Sequence, residues 1–146
     1  MSMYRQFETD PDLEKQGVIV DYSDFRVTLA RAGGANRKFT NQLEVRAKPY
    51  KRAMQAETID RNKLDSIVRE VFVDTCVLNW EVNQGTAEEP KWVPGIEAPD
   101  GTILEFNRDN LLDTFRNLPD LYQDLQEQAT KAALYRKHML EEGAKN

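Results

Sequence analysis

The chain has 146 residues, with 25 acidic residues against 20 lysines and arginines, a formal net charge of −5 and 40% hydrophobic residues. This composition fits roughly one globular domain, and no apolar run approaches the ~18 residues of a membrane-spanning helix. The single cysteine, Cys76, cannot form an internal disulfide. With a single histidine, His138, almost every kind of zinc site is excluded, as is almost every catalytic nucleophile that needs an imidazole base. We therefore expect no cofactor, no metal and no enzymatic activity.

The first 16 residues differ from the rest of the chain. Residues 1–16 carry several charges, Pro11 and little apolar periodicity, which predicts a mobile N-terminal arm. From residue 17 onward, segments with strand or helix periodicity follow one another. We therefore predict a single globular domain over residues 17–142 and a short C-terminal tail over residues 143–146.

A β-hairpin is predicted at the start of this domain. Residues 18–20 are a β-branched run, and a turn signal follows at residues 22–25. Phe25, Val27 and Leu29 then alternate with polar residues, which is the pattern of a strand with one buried face.

A helix is predicted after the hairpin, with Asn36 as its N-cap and Met54 near its end. Pro49 should kink or split this helix, because proline lacks a backbone donor and clashes with the preceding turn. The predicted inner face of the helix consists of Phe39, Leu43, Ala47, Tyr50 and Met54.

A second helix, predicted over residues 60–81, is apolar on nearly all sides. Apolar side chains recur at three- and four-residue spacing in two stripes, Leu64, Ile67, Val68, Val71, Thr75 and Leu78 on one side and Val73, Cys76, Val77 and Trp80 on the other. Such a helix belongs in the centre of a domain, and Cys76 is interpreted as a small core residue.

The remaining elements are a long loop, a short strand and two helices. Glycines and prolines predict a connection over residues 83–101, and residues 102–106 predict a short strand. Asn107 is a predicted cap of a short helix, and a last helix is predicted over residues 119–142 with proline at its first position. The predicted fold is α+β, predominantly helical, with an N-terminal hairpin and about four helices.

Charge is distributed unevenly along the chain. Residues 26–52 carry a net charge of +7, whereas the remainder carries −12. An electropositive face of this kind favours an acidic partner, for which we expect another copy of the same chain in a head-to-tail arrangement. Nucleic acid is a weaker alternative, because Phe39 and Tyr50 are assigned to the inner face and so cannot stack on bases. The candidate residues are Arg31, Arg37, Lys38, Lys48, Lys51 and Arg52.

The last predicted helix carries an apolar sector that is the candidate partner-binding face. Its small residues would let another helix approach closely. The alternative is that this face packs on the domain's own core, as most apolar stripes do. The candidate residues are Leu118, Leu121, Tyr122, Leu125, Ala129, Ala132, Met139 and Leu140.

Five blocks in this order resemble the tail assembly chaperones of long-tailed phages and prophages. They are residues 25–39, 48–50, 77–81, 106–110 and 118–122, within a resemblance that covers roughly residues 17 to 136. The blocks contain no catalytic residues, and their specificity lies in their order and spacing.

The resemblance implies a protein of the host cytoplasm that coats the tape measure protein, keeps it soluble and helps bring tail tube subunits to it. It also implies that tube recruitment requires a longer, frameshifted form, and that the mature virion lacks the protein. A structural virion component, such as a minor tail or connector protein, is the main alternative, since such proteins are also small and self-associating.

Overall fold

A computed structural model describes residues 2–137 of the chain. The α-helices are α1 (Met3–Phe7), α2 (Pro11–Gln16), α3 (Arg37–Ala47), α4 (Lys51–Gln55), α5 (Arg61–Thr75), α6 (Arg108–Asn117) and α7 (Pro119–Thr130). The strands are β1 (Val18–Asp21), β2 (Phe25–Leu29), β3 (Val77–Asn83), β4 (Trp92–Pro94), β5 (Ile96–Glu97) and β6 (Ile103–Leu104). Single 3-10 turns lie at Lys48–Tyr50 and Ala132–Tyr135. The α+β class is confirmed, although the described residues form seven α-helices instead of about four.

The strands form a four-stranded antiparallel sheet in the order β1-β2-β3-β4 and a separate β5-β6 pair. The predicted hairpin is confirmed, with Val18 opposite Leu29 and Asp21 opposite Arg26. Ser23 makes the turn with a positive φ of 75°. β1 is an edge of the sheet, and Ile19 on it is exposed.

The prediction of one helix over residues 60–81 is wrong at its C-terminal end. α5 ends at Thr75, and the chain continues as β3, which pairs with β2 in the middle of the sheet. Trp80 and Val82 are buried and alternate with less buried Glu81, so the strand period applies here. Leu78 is the additional residue of a bulge opposite Thr28 and Leu29, which leaves its side chain exposed.

The core lies between the sheet and helices α5, α6 and α7. α5 contributes five buried residues, which agrees with its predicted central position. Phe72 is fully buried and meets Tyr122 edge-on, with their ring centroids 5.6 Å apart. The ring centroid of Phe115 lies 6.3 Å from that of Phe72 and 6.1 Å from that of Trp80, so aromatic contacts connect α5, α6 and β3.

Pro49 splits the first predicted helix as expected, since the 3-10 turn at Lys48–Tyr50 separates α3 from α4. Asn36 precedes α3, but its side chain makes no cap hydrogen bond. It is buried and donates to the backbone oxygens of Arg31 at 2.8 Å and Thr75 at 3.1 Å. Asn36 therefore connects the loop after β2 to the end of α5.

The N-terminal segment is helical and joined to the domain, whereas the sequence predicts an arm over residues 1–16. Asp10 caps α2 by accepting from the backbone of Asp12 and Leu13. Glu14 on α2 is buried, and its carboxylate pairs with Arg31 at 2.6 Å. Backbone hydrogen bonds from Asp10 N–H to Tyr135 and from Arg31 N–H to Glu14 attach α2 on two sides.

Two further segments differ from prediction. The connection over residues 83–101 contains β4 and β5, and Ile96 within it is buried. The last helix ends at Thr130 because the chain turns inward, where the buried Tyr135 hydroxyl donates to the Leu29 backbone oxygen at 3.1 Å. The rest of the predicted helix, residues 138–142, and the tail lie outside the described residues. Within residues 2–137, no helix is long and apolar enough to cross a membrane.

Candidate interaction surfaces

The apolar face of the last predicted helix packs mostly inward. Leu125 and Ala129 are fully buried, and Leu121, Tyr122 and Ala132 are half-buried. Leu118 is the exposed member of the described set, with 53% of its surface accessible. Met139 and Leu140 lie outside the described residues. Most of this face therefore packs on the core of its own domain, which is the alternative given by the sequence.

The basic candidates divide into one paired residue and five exposed ones. Arg31 is half-buried and bonded to Glu14. Arg26 and Arg46, from the same positive segment, pair with Glu81 at 2.8 Å and Asp74 at 2.6 Å. The exposed candidates lie along α3, the 3-10 turn and α4, and they are Arg37, Lys38, Lys48, Lys51 and Arg52.

A groove lies in the elbow between α3 and α4, and we call it the elbow groove. It has a volume of about 460 Å³, and its lining consists of Glu44, Ala47, Lys48, Lys51, Met54 and Gln55. The lining residues recur at helical spacing along one face of α3, the 3-10 turn that contains Pro49, and α4. Ala47 and Met54 make the groove apolar, while charged side chains of both signs rim it.

A second groove, which we call the acidic groove, lies between the β5-β6 pair and the junction of α6 with α7. It has a volume of about 530 Å³, and its lining consists of Glu97, Ala98, Pro99, Leu104, Asn110, Asp113, Thr114, Asn117 and Leu118. Two exposed leucines, Leu104 at 36% and Leu118 at 53%, supply its apolar surface. Glu97 and Asp113 are exposed and make its charge predominantly negative, although Arg116 pairs with Asp113 at 3.2 Å.

The helix ends that border the acidic groove are determined by nearby residues in the sequence. The Asn107 side chain caps α6 by accepting from the Asn110 backbone at 2.9 Å, as predicted. Pro119 begins α7, as predicted, and forces the chain to turn at Leu118. Near the rim, Asp100 accepts from the Thr102 hydroxyl at 2.7 Å, and this hydrogen bond lowers the pKa of Asp100.

A third surface is the apolar side of α1, which sequence analysis missed. Met3, Tyr4 and Phe7 are between 65% and 70% exposed and define the α1 apolar face. The spacing of Met3 and Phe7, together with Ser2 as the helix cap, was a usable signal. The Arg136 guanidinium lies 5.3 Å from the Phe7 ring and donates to the Phe7 backbone oxygen, which fixes α1 to the end of the domain.

The model of the YdaY prophage protein family matches residues 34–146 of the chain. The chain belongs to the YdaY prophage protein family. Comparison with curated proteins gives no match, and comparison with solved structures gives none. The match begins after the hairpin and includes both the elbow groove and the acidic groove. The phage and prophage origin implied by the resemblance is thereby confirmed.

Residues 2–137 of this YdaY-family chain show neither a metal-binding group of side chains nor an ionised cysteine thiol at neutral pH. No group of three or more His, Cys, Asp or Glu side chains in this part of the chain is arranged to hold a metal ion. Burial raises the pKa of the Cys76 thiol to about 12, so the thiol stays protonated at neutral pH. Cys76 is fully buried, as predicted for a core residue. The two grooves and the α1 apolar face are surfaces accessible to another molecule.

Proposed function

We propose that this YdaY-family protein is a phage tail assembly chaperone that binds the tape measure protein and keeps it soluble. In this role it holds the tape measure protein until tail tube subunits assemble around it. Membership of a prophage family supports the general context, and the ordered sequence blocks support the specific role.

The observation that carries the proposal is the pair of exposed leucines in the acidic groove. A tape measure protein is a long, largely helical chain, and its exposed apolar stripes aggregate unless they are covered. Leu104 and Leu118 offer an apolar surface in a groove, which is the recognition mode of amphipathic helices. Leu118 is also the described member of the sequence-predicted partner face that remains accessible.

The rim charges give this groove a preference among helices. Glu97 and Asp113 are complementary to lysines and arginines that flank an apolar stripe. These rim charges contribute to choice of partner and association rate more than to affinity, because they remain in solvent. The apolar contact with the leucines supplies most of the binding free energy.

Co-expression with the tape measure gene of the same prophage tests the proposal. We expect the wild-type protein to raise the soluble fraction of the tape measure protein and to copurify with it. Leu104→Ser with Leu118→Ser should lose both effects. Ile19→Ser, which removes an exposed apolar side chain from the edge of the sheet, is the matched control and should retain them.

Two results would contradict the proposal. One is a tape measure protein that is equally soluble with and without this chain and forms no complex with it. The other is a stoichiometric amount of the protein in purified virions, measured by mass spectrometry, which would favour the structural alternative.

A further inference from the structure

Two surfaces of complementary shape, one protruding and one concave, lie outside the proposed tape measure site. The α1 apolar face protrudes, with Met3 and Phe7 one helical turn apart and largely in solvent. The elbow groove is concave and has an apolar floor at Ala47 and Met54. We propose that α1 of one copy of this chain docks in the elbow groove of the next copy.

Shape and polarity support this pairing. Helix-in-groove recognition requires apolar anchors at three- or four-residue spacing opposite an apolar cleft. Met3 and Phe7 provide anchors at that spacing, and Tyr4 lies beside them. An apolar face that is two-thirds exposed on a short helix gains stability when a partner covers it.

The charges on the two surfaces are complementary. The groove rim carries Lys48 and Lys51, and the exposed Glu8 directly follows α1. The rim also carries Glu44, whereas Arg5 lies two residues after Met3 and therefore on the opposite side of α1 from the apolar anchors. Glu8 also pairs with Lys137 of its own copy at 3.7 Å, but it stays about half exposed and can meet the two lysines of the rim. Glu44 on the same rim disfavours a uniformly acidic partner such as nucleic acid.

The contact is heterologous, because a protruding helix on one copy meets a different surface on the next. Contacts of this kind form rings or open chains. The charge asymmetry along the sequence predicts head-to-tail association, and the structure assigns α1 and the elbow groove as its two sides. This proposal concerns a second copy of the chain and does not depend on binding of the tape measure protein.

Complementation between two variants tests the proposal by sedimentation velocity. The helix variant is Met3→Ser with Phe7→Ser, and the groove variant is Met54→Glu. We expect wild-type protein to form oligomers, and each variant alone to be monomeric because self-affinity falls about 100-fold on loss of the apolar anchors. A 1:1 mixture should form heterodimers and nothing larger, since each variant retains one intact side.

Ile19→Ser is the matched control and should assemble as the wild type does, because β1 is not part of the contact. Circular dichroism should show that all variants remain folded, since the mutated side chains are exposed. Three outcomes would overturn the proposal. They are a monomeric wild type, a helix or groove variant that assembles like the wild type, and a mixture that remains monomeric. Retardation of a single-stranded oligonucleotide by monomeric wild-type protein would assign the elbow to nucleic acid instead.

Discussion

The two partners of the buried ion pair between Glu14 and Arg31 should differ in how much their removal lowers the free energy of unfolding. The Glu14 side chain is 3% exposed and that of Arg31 is 22% exposed, with 2.6 Å between the bonded oxygen and nitrogen. The carboxylate has one further side-chain partner, the Thr9 hydroxyl at 3.0 Å. Removing the arginine therefore leaves a buried negative charge, whereas removing the carboxylate leaves a cation that reaches water.

Arg31→Met should lower the free energy of unfolding by about 3 kcal/mol, because an unpaired buried charge is strongly destabilising. Glu14→Gln should cost about 1.5 kcal/mol, which corresponds to a lost charged hydrogen bond with a partly hydrated partner. The double variant should be more stable than Arg31→Met alone, since it contains no orphaned carboxylate. Arg116→Met is the matched control, and removing its exposed pair with Asp113 should cost less than about 1 kcal/mol.

Urea unfolding followed by tryptophan fluorescence provides the measurement, since buried Trp80 reports on the core. For a slope of about 1–3 kcal/mol per molar urea, Arg31→Met should shift the midpoint down by about 1–3 M without changing the slope. The reasoning would be refuted by equal losses in Arg31→Met and Arg116→Met. It would also be refuted if Glu14→Gln were the more destabilising member of the pair.

Two further predictions concern Gly34 and Cys76. A Cβ at Gly34 would overlap the Glu14 carboxylate, so Gly34→Ala should lower the thermal midpoint more than Gly101→Ala, where φ is also positive but no atom lies within 4 Å. Equal losses in differential scanning calorimetry would contradict this. Burial raises the pKa of Cys76 from 9.0 to about 12, so the native state retains a proton that the unfolded state releases, and stability should fall as pH rises from 9 to 12. Iodoacetamide at pH 8 should label Cys76 in urea but not in the native protein, and rapid native labelling would contradict the buried position.

Elements with local signals were predictable from the sequence. The hairpin follows from alternation around a turn at Ser23, and the break between α3 and α4 follows from Pro49. Asn107 and Pro119 correctly mark the beginnings of α6 and α7. In each case the deciding interaction lies within a few residues, so the sequence window contains the physical cause.

Elements that depend on distant partners were not predictable in this way. Val77 and Trp80 satisfy helical spacing with residues before them, while Trp80 and Val82 satisfy strand spacing. These residues form a strand and not a helix because pairing with β2, about 50 residues away, satisfies the backbone donors and acceptors of β3. Glu14 is similar: a polar segment gives no reason to bury it until Arg31 becomes its partner.

The candidate partner face shows how a proline changes the interpretation of an apolar stripe. Leu118 and Leu125 share a stripe when residues 118–140 are drawn as one helix. Proline restricts the preceding residue to extended conformations, and Leu118 has φ −126° and ψ 72°, outside the helical region. The stripe should therefore be divided at Pro119 before any face is assigned. That division separates exposed Leu118, which lines a groove, from fully buried Leu125, which belongs to the core.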